Sequence, residues 1–440
     1  MPSARSVRPG FFPLDEELQL LPGQLTPALH ESLVRLGTWM PFARAATELG
    51  FFTHVHVGEA TARRVTETAG AAYVAVQTEA VERLERELPP APDGPALQLL
   101  SVDGAMVPLV HREWAEVKTL VVGGVAAPVG EHGERVVHSH DLSYFSRLTD
   151  ADTFGRLALV ETHRRGTERA GTVCAVTDGA EWAQGFIDLH RPDAVRILDF
   201  PHAAAYVAQA GQVVWGEATE AFAHWLKETL HELKHGSAEA VLQTLRDMQL
   251  EISLRDAAAA TTIQESLNYL EKRRAHLDYA RFQASGYPIG SGSVESANKL
   301  VVEARLKGAG MHWARPHVDP MLALRTIACS DRWEEAWPLI TQCWRRHARA
   351  QHARRHSARQ AKRLSADAPT ASPTTATPVT PLAIAPATHA PPDVAEVTAA
   401  SPAPAPVKAP YRPAPNHPWR RMPIGRARYQ PAGLDIPAKN

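Results

Sequence analysis

Thr172-Val173-Cys174-Ala175-Val176-Thr177-Asp178-Gly179 is the stretch from which the fold can be read. Its first six residues carry no charge and are mostly apolar or β-branched, and Asp-Gly stops them. A short run of this kind, bounded by a turn signal, reads as a fully buried central strand. A helical pattern follows over 181–189. A second buried run over 194–198 ends in Asp199. Strand, helix, strand in that order predicts a parallel pair joined by a crossover helix. Upstream, alternation and β-branched residues predict strands over 97–110, 114–122 and 135–139, and 151–164 reads as a helix. The expected core is therefore α/β, a mixed sheet built of a three-strand meander plus parallel strands.

Beyond this core the strand signal stops. Residues 213–282 carry helical stripes such as Leu226, Leu230, Leu233 and Val241, Leu245, Leu250, which predict an all-helical insertion. The turn-rich segment Gly286-Tyr287-Pro288-Ile289-Gly290-Ser291-Gly292-Ser293 comes next. Ser293 suits the N-cap of a helix over 294–307, ended by Gly308 and Gly310. Val294, Ala297, Val301 and Ala304 form its expected apolar stripe, with Glu295, Asn298 and Arg305 on another face. The first 90 residues read as helical, over 26–37, 41–49 and 58–68, with Gly70 closing the last. Short helices joined by a turn resemble a helix-turn-helix, a candidate DNA-binding domain with Arg63 and Arg64 on its later helix. Packing of a helical core is the plainer use of the same pattern. The expected division is 1–92 helical, 93–212 first part of the core, 213–285 insertion, 286–345 last part of the core with the Glu295 helix, and 346–440 basic linker and tail.

Composition sets outer bounds. The 440 residues have a net charge of −1, which excludes a globally basic nucleic-acid binder but not local basic surfaces. One such surface is 345–363, with eight Lys or Arg, three His and no acid. Seventeen of the 35 prolines fall between Pro369 and Pro437, so about 365–440 is expected to be a disordered Pro/Ala-rich tail. Cys174, Cys329 and Cys343 have neither the spacing of a zinc site nor that of a disulfide framework. No leader-like apolar segment and no stretch of about 18 uncharged apolar residues stands out. The expectation is a cytoplasmic, nucleoid-associated protein with no membrane partner.

Three acids carry the candidate chemistry. Asp103 lies on the first strand of the core, Asp178 ends a buried strand, and Glu295 sits in the first turn of a late helix. Singly, each suits a turn or a helix dipole. Together they supply the hard oxygen ligands that divalent metals take. Two such ions about 4 Å apart can activate an attacking oxygen and stabilise a leaving one in phosphoryl transfer. Acids on a first strand, a later parallel strand and a following helix are the arrangement of the ribonuclease-H-like nucleotidyl-transfer core.

The chain resembles bacterial insertion-sequence DDE transposases of the Mutator-like class, Kra-type group. The matching stretches are Ser101-Val102-Asp103-Gly104-Ala105, Thr177-Asp178-Gly179-Ala180-Glu181-Trp182 and Ile197-Leu198-Asp199-Phe200-Pro201-His202-Ala203. The longest is Gly286 to Asn298, running on to Lys307-Gly308-Ala309-Gly310-Met311-His312-Trp313. The resemblance covers about 10–350. It implies Asp103, Asp178 and Glu295 as catalytic triad and ligands of two Mg²⁺ or Mn²⁺ ions, Asp103 bridging both. Asp199 and His202 match a D-x-x-H signature and, with Asn298, are expected to support the site. Lys299, Arg305 and Lys307 are expected on DNA phosphates, and Trp313 on a displaced base. Transposon ends and target DNA are the implied partners, with a homo-oligomer bringing two ends together. The rival readings are a retired or domesticated transposase that only binds DNA, and a metal-dependent nuclease on the same core.

Overall fold

A computed structural model describes residues 20–21, 25–131 and 134–366. The expected tail, 367–440, lies outside the described residues. Three helices come first: α1 (Pro27–Trp39), α2 (Phe42–Thr53) and α3 (Glu59–Glu87). Strands β1 (Leu97–Pro108), β2 (Trp114–Val125), β3 (Val129–Glu131), β4 (Glu134–Val136) and β5 (Ser139–Arg147) follow. Next are α4 (Ala151–Arg164), β6 (Thr172–Thr177), α5 (Glu181–His190), β7 (Val195–Leu198) and α6 (Phe200–Trp215). The insertion holds α7 (Glu220–His235), α8 (Ala238–Ser253), α9 (Ala257–Lys272) and α10 (Tyr279–Ala284). α11 (Gly292–Ala297) continues through a π-helical turn (Asn298–Glu303) into Ala304–Leu306. α12 (Val318–Cys329) and α13 (Trp333–Ala366) close the described chain.

The main sheet is mixed, with strand order β5-β2-β1-β6-β7. β1 pairs antiparallel with β2, and β2 with β5; β6 lies parallel to both β1 and β7. The buried run that predicted a central strand is β6, and Val173 to Val176 are all at or near zero exposure. Side chains of a strand alternate between faces. Leu100 and Val102 of β1 join Phe145, Phe154, Phe186 and Ile187 under α4 and α5. Ala105 and Val107 join Val294, Val301, Val302 and Leu306 on the opposite face. Asp103 has the parity of the second set and therefore faces the Glu295 helix. The insertion packs its own stripe, including Leu233, Leu245, Ile263 and Leu267, against Val176, Ile197 and α6.

Four expectations need correction. The third strand of the meander is not 135–139 but β5, four residues later. Its Ser143, Ser146 and Arg147 are buried, so the apolar pattern that marks a strand is missing. Their polar atoms are satisfied by distant partners instead: Ser146 bonds Thr119 of β2 at 3.0 Å and Arg147 bonds Gln77 of α3. Second, the helix expected over 58–68 runs to Glu87. Gly70 does not end it; a Cβ there would sit 2.6 Å from the Pro320 carbonyl carbon, so this glycine lets α3 and α12 touch. Third, the N-terminal helices do not pack alone. Leu33, Leu49, Val65 and Tyr73 share one core with Leu324, Ile327, Trp333 and Ile340 of α12 and α13. Fourth, 346–366 continues α13 as helix, where a linker was expected. Among the described residues, no helix is long and apolar enough to cross a membrane.

Candidate active site

The backbone brings two of the acids to one notch. β1 and β6 pair from Leu97↔Thr172 to Leu100↔Ala175, and the register ends there. Just beyond, the Ser101 hydroxyl donates to the Val176 carbonyl, filling the gap between the diverging strands. Asp103 and Asp178 lie past this point, at the end of a parallel pair where ligand sites of α/β sheets form.

Each carboxylate is held. Asp103 Oδ1 accepts from the Gly104 N–H at 2.7 Å, and its Oδ2 accepts from Asn298 Nδ2 at 2.8 Å. Asp178 Oδ1 accepts from the Ala180 N–H at 2.9 Å, which folds the turn into α5. Glu295 Oε1 accepts from the Ser291 hydroxyl at 3.3 Å. Burial pushes the Asp103 carboxyl up to about 6, and the charges of Asp178 and Glu295 push it the same way. The Gly104 and Asn298 hydrogen bonds work against that rise. The charges of both other acids thus bear on Asp103.

Asp199 is a structural joint beside this site. It is 3% exposed. Its Oδ2 caps α6 by accepting from the His202 N–H at 2.9 Å, and its Oδ1 accepts from the Ser291 N–H at 2.6 Å. Phe200 N–H bonds the Ile289 carbonyl at 2.9 Å. The glycine-rich segment is therefore pinned to the end of β7, and Ser291 passes that constraint to Glu295. Burial raises the Asp199 carboxyl, and the Glu295 charge adds to it. The His202 ring packs edge-on near Tyr206 and tilted near Tyr269, with centroids 5.5 and 5.7 Å away.

Two residues that sequence reading missed hold the Asp178 turn. Tyr269, on α9, donates its hydroxyl to the Asp178 carbonyl. Arg273, just after α9, donates to the Gly179 carbonyl from Nε at 3.0 Å and from its terminal nitrogen at 2.7 Å. The guanidinium lies 3.7 Å over the Tyr269 ring, and Tyr269 stacks on Tyr206 at 3.8 Å. Gly179 has φ +79, and a Cβ there would lie 2.7 Å from Arg273 Cδ. The only trace of this clamp in sequence is an i, i+4 Tyr/Arg pair on one helix face, which is common on any helix.

The remaining site candidates divide. Asn298 is buried and faces Asp103, so it does not share the exposed face of Glu295 as expected. Among the described residues, its Oδ1 finds no hydrogen-bond partner. Arg305 is 2% exposed and cannot reach DNA from this position. Its Nε donates to the Gly37 carbonyl at 3.0 Å, and its guanidinium lies over Phe42 and Trp313. Burial lowers it to about 10. Trp313 is 7% exposed, and its indole N–H donates to the Leu306 carbonyl at 3.1 Å. The base-stacking expectation fails here because its backbone is bonded to β1 and the following residues, at Pro108 and Val110. Lys307 pairs with Glu303 at 2.6 Å. Lys299, Arg63 and Arg64 are exposed. Ser293 is not the N-cap: the helix begins at Gly292 with Ser291 capping by position, its hydroxyl spent on Glu295.

Three carboxylates offer the oxygen donors that suit Mg²⁺ or Mn²⁺. A cation would relieve the mutual repulsion recorded at Asp103. Among the described residues, no three His, Cys, Asp or Glu side chains already stand as a ligand group, so binding requires the carboxylates to close in. Compared with known proteins, the chain matches no family model and no curated sequence.

Proposed function

We propose that this chain is a DNA transposase of an insertion sequence, with a ribonuclease-H-like core and a two-metal phosphoryl-transfer site. The observation that carries the reading is the half-buried carboxyl of Asp103 on the central strand, which pairs antiparallel on one side and parallel on the other; it is raised to about 6, with the charges of Asp178 and Glu295 both bearing on it. A perturbed carboxyl beside other acids marks a candidate functional site, and phosphoryl-transfer sites gather carboxylates whose repulsion a cation offsets. The strand order β5-β2-β1-β6-β7, with an acid on the central strand and another after its parallel neighbour, supports the fold assignment.

Asp103, Asp178 and Glu295 would hold two Mg²⁺ ions. When bound, the ions activate the attacking oxygen and stabilise the leaving one. The residues of the chain then have defined tasks. Asn298 orients Asp103 through Oδ2. Asp199 and Ser291 set the start of the Glu295 helix. Tyr269 and Arg273 fix the turn that carries Asp178. Chemically, water cleaves a phosphodiester at the transposon end and leaves a 3′-hydroxyl. That hydroxyl attacks a target phosphodiester, exchanging one P–O bond for another without an external energy source.

The test is a strand-transfer assay with Mg²⁺ or Mn²⁺, DNA carrying the gene's own flanks and a target plasmid, beside Glu295→Gln. Joined products that disappear in the variant are expected. Metal-dependent nicking without joining points to a nuclease. Tight binding with neither activity points to a protein that only binds DNA.

A further inference from the structure

A long groove of about 2680 Å³ runs between α3 and α13, away from the carboxylates; Asp103, Asp178 and Glu295 do not line it. Its wall charges are unbalanced. Nine arginines line it: four from α3, four from α13 and Arg164 from α4. Only four glutamates face them, Glu67, Glu79 and Glu82 from α3 and Glu335 from α13. Glu79 is engaged by Arg346, Glu335 by Arg164, and Glu67 by His317 at 3.0 Å. The excess is five positive charges, on a chain whose sum is −1. Such local concentration of one sign selects a polyanion.

The dimensions select among polyanions. On α3 the arginines run from Arg63 to Arg86, which at 1.5 Å per residue is about 35 Å. One turn of B-form DNA is roughly the same length. Arg355 and its neighbours on α13 line the other wall. A small anion needs no such length, whereas a chain of regularly spaced phosphates meets cations along both walls.

We propose that the α3–α13 groove grips the phosphate backbone of about one turn of duplex DNA, without reading its sequence. The choice of DNA among polyanions rests on the phosphoryl-transfer reading above. Arg63 and Arg64 then act as backbone contacts from the wall of a groove, rather than as the base-reading residues of a helix-turn-helix. Such contacts fix register and orientation and supply affinity.

The experiment is fluorescence-anisotropy titration of the full chain with a 24-bp random-sequence duplex across a salt series. Each phosphate neutralised contributes about −0.9 to the slope of log K against log salt. If each of the five surplus charges meets one phosphate, affinity falls roughly 500-fold between 50 and 200 mM salt. Arg64, Arg83 and Arg355 are exposed, and their triple change to Gln leaves about two contacts. The slope is then expected to flatten by 2 to 3, and the same salt step to cost about 12-fold. The triple change to Lys should restore the slope, since charge rather than side-chain packing is at issue. An unchanged slope in the Gln variant, or no duplex binding by the wild type at 50 mM salt, overturns the proposal. Asp103→Asn with Glu295→Gln should keep the wild-type slope. Strand transfer surviving with an unchanged slope would remove the groove alone; groove binding without nicking or joining would remove the catalytic reading alone.

Discussion

Gly179→Ala, combined with Arg273→Ala, tests whether the insertion controls the Asp178 turn. Gly179 has φ +79, a conformation that costs an L-residue roughly 1–2 kcal/mol. The added methyl also meets Arg273, 2.7 Å from its Cδ, and Leu198 Cδ1 at 3.0 Å. Arg273 must therefore leave, forfeiting two charged hydrogen bonds to the Gly179 carbonyl. A charged hydrogen bond is worth about 1.5–3 kcal/mol, and partial exposure places this pair together at about 2. Gly179→Ala alone should thus destabilise by about 3–4 kcal/mol. In the Arg273→Ala background the main clash partner is gone; the backbone cost of about 1–2 kcal/mol is left, with the Leu198 contact at 3.0 Å relieved by a small shift of that side chain. The two changes should therefore be less than additive by about 2 kcal/mol, measured by urea denaturation of all four proteins. Additivity within about 0.5 kcal/mol would refute the clamp. Strand transfer gives the functional arm. Both single variants should lose it more steeply than their stability loss explains, because the turn they disturb carries Asp178.

Two other expectations follow from buried polar groups. Asp199→Ala removes the α6 cap and strands the buried Ser291 N–H, so a loss of about 2–4 kcal/mol in urea denaturation is expected, while Asp199→Asn keeps an acceptor and should lose less. His190 is buried, hydrogen-bonded to Thr162 and the Gly155 carbonyl at 3.0 Å each, and burial lowers it to about 4. Its folded value lies below its ordinary 6.5, so the unfolded chain binds the extra proton; stability should be full above pH 6.5 and fall by up to ~3 kcal/mol as pH drops to 4. Asp103, raised to about 6, contributes with the opposite sign over part of that window, so the quantity to measure is wild type minus His190→Gln at each pH. A pH-independent difference would sink the assignment.

How much was legible depended on whether an element is held by its own residues or by distant ones. β6 and β7 show their burial in composition, and their bounds came out within a residue of the pattern. The helical insertion was equally plain, since four helices each carry an apolar stripe. β5 was misplaced because it buries serines and an arginine whose partners lie in β2 and α3. Gly70 misled for a related reason: a glycine inside a helix signals either an end or a close approach, and only the position of Pro320 decides. Among site candidates, Arg305 and Trp313 were assigned outward from residue type. Arg305 lies over the Trp313 ring, and the two belong to one buried aromatic–cation group closing the last turn of the Glu295 helix. Tyr269 and Arg273 do not stand out because their partners are main-chain carbonyls, and an i, i+4 Tyr/Arg pair by itself is common.

The three acids reach their places through different frameworks, and that has a consequence for how the site responds. Asp103 is fixed by the sheet, since β1 is paired on both sides up to the notch. Asp178 is fixed by the sheet and by the insertion, through Tyr269 and Arg273. Glu295 depends on Ser291 and so on Asp199 and β7, and its helix changes from α to π three residues later. A π-helical turn widens the spacing locally and is frequent at functional sites. Here it lets Asn298 turn inward to Asp103 while Glu295 stays at the surface. The helix that carries the third acid is therefore tied to the first acid by one side-chain hydrogen bond and to the sheet edge by another. Of the three acids Glu295 is the most exposed, so a substitution at Ser291 or Asp199, which hold the start of its helix, should displace it more readily than Asp103 or Asp178.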